Sequence, residues 1–442
     1  MKRTVLVVGL LAGCGGSGGG ASPDASVTTP SDNPARAVTA TDLAFDLAGK
    51  TATATLTLAP SETAGAGFES GDLVVTAVTD GSGAAIEFAS APTADSTTAD
   101  VRSRLTLGVP ASADPQTVTI AYKWADHESF TGISKDGYTF NWPYYCGNMF
   151  PCHSNPAEGT TFTLALANAP AGLVAVFPEA ITQPAPAYQL AWTIGAYTEL
   201  PLGTTTAGTT VSLYYRTTEL AAATKGGAHL VAAFDWLEQT IGPYGFGGKV
   251  GGASVPWPDG FAGGMEHHPF WHVAAGDFSD ENTQVHEAAH GWYGDGIRIG
   301  CWEDFLLSEG TVSYLAARAL DVVAPSVGAA SWTEYARELQ GVAGTDLTWP
   351  DSCGAVDVLK DNLYTNAPYM RGAYFYRAVA LKVGAGKLDA ALHAFYLAHQ
   401  GKSARMADML TTIQTSTGFD PTACAQKWLR STTIPAPETP CD

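Results

Sequence analysis

His286, Glu287 and His290 constrain this chain more than any other three residues. In the stretch "QVHEAAHGWYGD" two imidazoles stand four positions apart. If the segment is helical, that spacing places them one turn apart on one face. Two imidazoles so placed can bind one zinc ion, with Glu287 projecting beside it. A tetrahedral catalytic zinc also needs a third protein ligand and a position left for water. Glu309 follows His290 after eighteen intervening residues, inside "EDFLLSEGTVSYLAARAL". That gap fits a turn and the start of a second helix, which could present Glu309 to the same ion. The H-E-x-x-H pattern alone leaves open an amphipathic surface helix with an incidental histidine pair.

The chain has 442 residues, enough for two or three domains with their own cores. From about Val38 to Thr218 the sequence reads as strands. "TATATLTL" (51–58) alternates small polar and apolar residues, and "DLVVTAV", "QTVTIAY", "TTFTLAL" and "TVSLYY" follow between turn clusters such as "DGSG". The pattern predicts a β-sandwich or open barrel. Helical character begins after residue 220. In "AHLVAAFDWLEQTIGPYG", Leu230, Phe234, Leu237 and Ile241 share one face, and Gly242-Pro243 stops the helix. Mostly helical sequence then runs to about Leu429.

The first residues read as an export signal. Lys2 and Arg3 precede a short apolar run, Thr4 to Leu11, too short to span a bilayer. Leu11-Ala12-Gly13-Cys14 resembles a bacterial lipobox, which implies cleavage before Cys14, which is then acylated. The alternative is an ordinary secretory signal with an incidental cysteine. Gly15 to Asn33 is rich in Gly, Ser, Asp and Pro, as a flexible tether would be. The expectation is an exported bacterial lipoprotein, periplasmic or on the cell surface, held to the membrane by its N-terminal lipid only. The six remaining cysteines are an even set, as expected of disulfides in that compartment. Six cysteines allow 15 pairings. Proximity suggests Cys146–Cys152, Cys301–Cys353 and Cys424–Cys441. The formal net charge of −20 argues against nucleic acid and anionic lipid surfaces as partners.

The words around the histidines carry a resemblance. "HGWYGD" and "WEDFLLSEG", with Trp302, Asp304, Leu307, Glu309 and Gly310, are similar in order and spacing to the zinc-site stretch of the aminopeptidase N and leukotriene hydrolase family, the gluzincin metallopeptidases. "MFPCHSNPAEGTTFTLAL" resembles that family's F-P-C-x-D phrase, with Ser154 where the aspartate usually stands. In "VPWPDGFAGGMEHH", Gly263, Gly264, Met265 and Glu266 match its G-x-M-E-N motif, and His267 replaces the asparagine. "TNAPYMRGAYFYRAV" resembles its P-Y-x-K-G phrase, with Tyr369 in the tyrosine position, Arg371 for the lysine and Gly372 matching.

The resemblance implies a multidomain fold: an N-terminal all-β sandwich, then a thermolysin-like α/β and mainly α-helical catalytic domain. The expected division is a signal at 1–13, a lipid-anchored tether at 14–37, the sandwich at 38–218, the zinc peptidase domain at 219–430 and a tail at 431–442. The resemblance ends near residue 430, which implies an open site.

The same resemblance implies one zinc ion per chain on His286, His290 and Glu309. Glu287 is the implied general base, and Tyr369 the implied donor to the oxyanion. Gly263, Gly264 and Met265 form an edge that pairs with an extended peptide, and Glu266 binds its free α-ammonium. From its position, Asp304 is expected to orient a ligand histidine. His267, His268 and His272 read as pocket-lining or surface residues rather than a second metal site. The implied activity is removal of the first residue from peptides with a free N-terminus. Two alternatives stay open: a zinc hydrolase acting on another bond or substrate, and a non-catalytic surface binding protein on a peptidase scaffold.

Overall fold

The computed structural model describes residues 28–442 except 98–99, 129, 142–144, 259, 343–347, 359 and 362. The signal, Cys14 and most of the tether lie outside the described residues.

The strand-rich half forms a six-stranded sheet in the order Ala180–Ala185, Thr160–Ala167, Val38–Asp46, Thr51–Leu58, Gln116–Lys123, Val74–Asp80. A three-stranded sheet of Ala66–Glu69, Ser103–Leu107 and Phe88–Pro92 shares its core. The alternation of 51–58 survives intact: Ala52, Ala54, Leu56 and Leu58 point inward, and the threonines between them are exposed or half-buried. The folded body begins earlier than the expected tether boundary at 37. Arg36 is buried and donates to the carbonyls of Ala59, Gly65 and Pro110, so residues just before 38 are tied to the sandwich.

The boundary at 218 also moves. Tyr197–Thr204 and Thr210–Arg216 belong to the second unit, in a five-stranded sheet completed by Lys249–Val255, Phe270–Ala274 and Gly264–Met265. Val211 pairs in parallel with Val250, across a helical excursion. Period-two alternation announces a strand but does not name its partner, so the sequence pattern assigned these two to the sandwich.

Helices cover this sheet. Phe305–Val323 is buried almost all round, from Phe305 to Leu320, and runs through the centre of the helical core. Asn366–Val383 crosses it at two glycines. A Cβ on Gly310 would lie 2.6 Å from the Gly372 Cα, and one on Gly372 would lie 2.5 Å from the Gly310 Cα. The helices touch backbone to backbone, and this contact brings the turn that carries Glu309 near the turn that carries Tyr369. Gly372→Ala is therefore expected to destabilise the protein by about 1–3 kcal/mol through overpacking. An unchanged thermal midpoint would contradict this account of the crossing.

Three disulfides join Cys146–Cys152, Cys301–Cys353 and Cys424–Cys441, the pairs that proximity suggested. The two units are bound together through Arg298. Arg298 donates to Ala157 and Pro184 of the sandwich and to Gly401 of the helical part. No described helix is long and apolar enough to cross a membrane.

Candidate metal centre

The helix Glu281–Ala289 starts at an Asp280 N-cap, whose carboxylate accepts from the Thr283 N–H at 2.7 Å. His286 lies in its last turn and His290 caps its end. Glu309 reaches them from the first turns of Phe305–Val323. The His286 and His290 Nε2 atoms are 3.3 Å apart. Glu309 Oε2 lies 3.1 Å from the first and 3.4 Å from the second.

Three donor atoms in such a triangle suit one face of a tetrahedron. With zinc bonds of about 2.0–2.1 Å, ligand atoms stand about 3.3 Å apart. The donor chemistry agrees. His290 Nδ1 donates to the Tyr293 carbonyl at 3.0 Å, which leaves its Nε2 lone pair for an ion. The Ser308 hydroxyl stands 3.4 Å from the same Nδ1. Gly294 keeps this corner clear: its φ is +101°, and a Cβ there would lie 2.6 Å from His290 Nδ1. The residues fit a zinc ion.

Two more carboxyls face this triangle. Glu266, Glu287 and His290 hold ligand-type atoms within 4.8 Å of one another, all buried. Among these side chains the charges settle unevenly. Burial opposes a charged His290, but Glu309 and Glu266 outweigh it and hold the imidazole up at about 10. Burial would raise Glu309, yet His290 and His286 bring it down to about 2. Burial pushes Glu287 well above the usual carboxylate range, and it raises Glu266 as well. Burial thus disposes Glu287, and less strongly Glu266, to take up a proton.

The strand Gly264–Met265 forms the open edge of the five-stranded sheet. The Gly263 carbonyl accepts from the Ala274 N–H, and Gly264 stands opposite Val273. Antiparallel pairing alternates, so Gly264 turns its own N–H and C=O away from the sheet. Those are the groups an extended peptide would meet. The glycine itself answers to a different neighbour. A Cβ on Gly264 would lie 2.5 Å from the Glu287 carboxyl carbon, so it is Glu287 that requires a bare backbone here. Gly264→Ala is expected to displace Glu287 while zinc content holds. A variant structure with Glu287 in its native place would show that Glu287 tolerates the methyl.

Tyr369 sits at the start of Asn366–Val383, its ring stacked on His286 at a centroid distance of 6.1 Å. Burial, aided by Glu309 and Glu266, pushes its phenol well above the ordinary range, so it remains a proton donor. Arg371, in the family's lysine position, turns away from the centre. Its guanidinium is buried and donates to the carbonyls of Trp428 and Ser431.

Asp304 does not hold a ligand histidine. Its carboxylate accepts from the Trp349 indole at 3.0 Å and pairs with Arg405. Asp304 lies just before the buried helix, and its side chain ties that end to the C-terminal helices. The three extra histidines are not surface residues: all are buried.

His268 has a role the sequence did not signal. It accepts from the Tyr244 hydroxyl at 2.7 Å and donates to the Glu287 carbonyl at 2.8 Å, bracing the backbone of the H-E-x-x-H turn. His267 donates from Nδ1 to the Tyr188 carbonyl of the sandwich at 3.0 Å. Asp295 was also missed. Burial, reinforced by Glu266, pushes its carboxyl well above the usual range.

Residues 277–428 match the Peptidase family M1 domain. Aminopeptidase N of Streptomyces lividans is 26% identical over 159 residues, 34% of this chain and 18% of that protein. Aminopeptidase B of Rattus norvegicus is 26% identical over 260 residues, 53% of this chain and 39% of that protein. The chain thus matches well under half the length of these two relatives.

Among solved structures, an M1 zinc metallopeptidase from Deinococcus radiodurans bound to a Tyr-Ser-Ala substrate superposes with a TM-score of 0.74 at 20% identity, covering 91% of this chain and 96% of that one. Native yeast LTA4 hydrolase superposes at 0.74 and 18% identity, covering 94% and 71%. At such identities the likeness is one of fold.

Proposed function

From the match of residues 277–428 to the peptidase family M1 domain, we infer that this chain is a zinc-dependent aminopeptidase that hydrolyses the N-terminal bond of peptides. The observation that carries the reading is the triangle of His286, His290 and Glu309 with Glu287 and Glu266 buried against it. His286, His290 and Glu309 would hold the ion. When bound, zinc supplies Lewis acidity to the scissile carbonyl and lowers the pKa of a water.

The chain's own groups do the rest. Glu287 takes the proton of the attacking water and delivers it to the leaving amine. Tyr369 donates a hydrogen bond to the developing oxyanion. Gly264 pairs with the substrate backbone, and Glu266 fixes the α-ammonium. A carboxylate held at a set distance from the cleaved bond makes the enzyme count one residue from the amino end.

Three disulfides suit an oxidising compartment and support the export reading of residues 1–13; Cys14 as a lipid anchor rests on the lipobox resemblance alone.

The test is metal stoichiometry against activity. Chelated protein should be inactive on an aminoacyl-arylamide and regain activity linearly up to one equivalent of zinc. Full activity in metal-free protein would sink the reading.

A further inference from the structure

Phe261 lies three residues before Gly264, on the loop that leads into the open edge, and is 57% exposed. It is not a stray surface ring. Its centroid stands 4.3 Å from that of Phe130, edge to face. Phe130 in turn packs on Phe140 at 4.7 Å and on Trp257 at 5.4 Å. Phe140 and Trp257 pack in the same apolar cluster as Met265. Rings from the sandwich (Phe130, Phe140) and from the catalytic sheet (Trp257, Phe261) thus meet beside the edge strand, and the stack opens to solvent at Phe261. The loop is held in place. Gly263 donates its N–H to Asp277 at 2.6 Å, and its carbonyl accepts from Ala274 at 3.0 Å.

The direction of a bound peptide comes from the strand, and it rests on the aminopeptidase reading above. Glu266 takes the amino end. Beyond Glu266 the chain turns inward through His267 and His268, both buried, so the open edge runs back from Met265 toward Gly263. The peptide must therefore extend antiparallel to the strand, from Glu266 toward the Phe261 loop. At about 3.3 Å per residue, its second and third residues stand opposite Gly264 and Gly263. Both lie on the leaving side of the cleaved bond.

We propose that the Phe130–Phe261 ring stack is a specificity surface for an apolar side chain at the second or third residue of the substrate. The enzyme then selects peptides by the residues beyond the cleaved bond as well as by the first residue.

The experiment compares kcat/KM for Ala-Gly-Gly, Ala-Phe-Gly and Ala-Gly-Phe in wild type, Phe261→Ala and Phe261→Leu. Burying a phenylalanine side chain against rings supports a preference of about tenfold or more for one Phe tripeptide over Ala-Gly-Gly. Phe261→Ala should collapse most of that ratio, and Phe261→Leu should restore part of it. Phe261 is exposed, so thermal midpoints should match wild type. Turnover of all three peptides with no ratio, or a ratio that Phe261→Ala leaves intact, overturns the ring-stack proposal alone. No turnover of any free-amino peptide by zinc-loaded protein overturns the aminopeptidase reading and this proposal with it.

Discussion

Glu287→Gln should abolish most turnover while leaving the protein folded and loaded with zinc. The amide has the size of the carboxyl and fits against Gly264 as the native side chain does. It cannot accept the proton of the attacking water. Loss of a positioned general base lowers kcat by about 10²–10⁴-fold. Glu287 makes no bond that defines the metal triangle, whose atoms come from His286, His290 and Glu309. Zinc content and thermal midpoint should therefore stay at wild-type values. Rate constants should be measured alongside metal content on the same preparation. A variant that keeps more than a tenth of wild-type kcat would remove Glu287 from the base role. A variant that loses zinc would recast it as a ligand.

Glu266→Gln should have a different signature. The native carboxylate is buried beside Glu287 and His290, where a charged partner is worth most. Removing its charge should lower kcat/KM for free-amino substrates by about 10²-fold, because the ammonium is then desolvated without a counter-charge. Amino-blocked substrates carry no such charge and should be affected much less, so the ratio between the two classes should narrow. Equal losses on both classes would mean that Glu266 shapes the site without reading the amino end.

Much of this site was legible in the sequence because the chemistry is local. His286, Glu287 and His290 lie on one helical turn, and Glu309 sits inside a phrase whose glycine packs against another phrase's glycine. Gly310 and Gly372 look like separate motif letters in the sequence. In three dimensions they are one contact, and that contact sets Glu309 beside Tyr369. The disulfides came from proximity along the chain.

The features that stayed hidden depended on partners far away in the chain. Strand periodicity could not show that Val211 pairs with Val250, so the domain boundary was placed too late. Asp304 sits in the right phrase, but its bonds go to Trp349 and Arg405, 45 and 101 residues onward. His268 looked like one of three loose histidines. Only the fold brings its ring under the Glu287 carbonyl and the Tyr244 hydroxyl, 24 residues upstream.

The measurement that bears most directly on the central claim pairs each free-amino aminoacyl-arylamide with its N-acetylated twin, using the zinc-loaded protein. Release of the arylamine is expected from the free-amino member only, with loss of that release in Glu287→Gln and in chelated protein. Equal cleavage of the acetylated twins would keep a zinc hydrolase and contradict an enzyme that reads the amino end through Glu266.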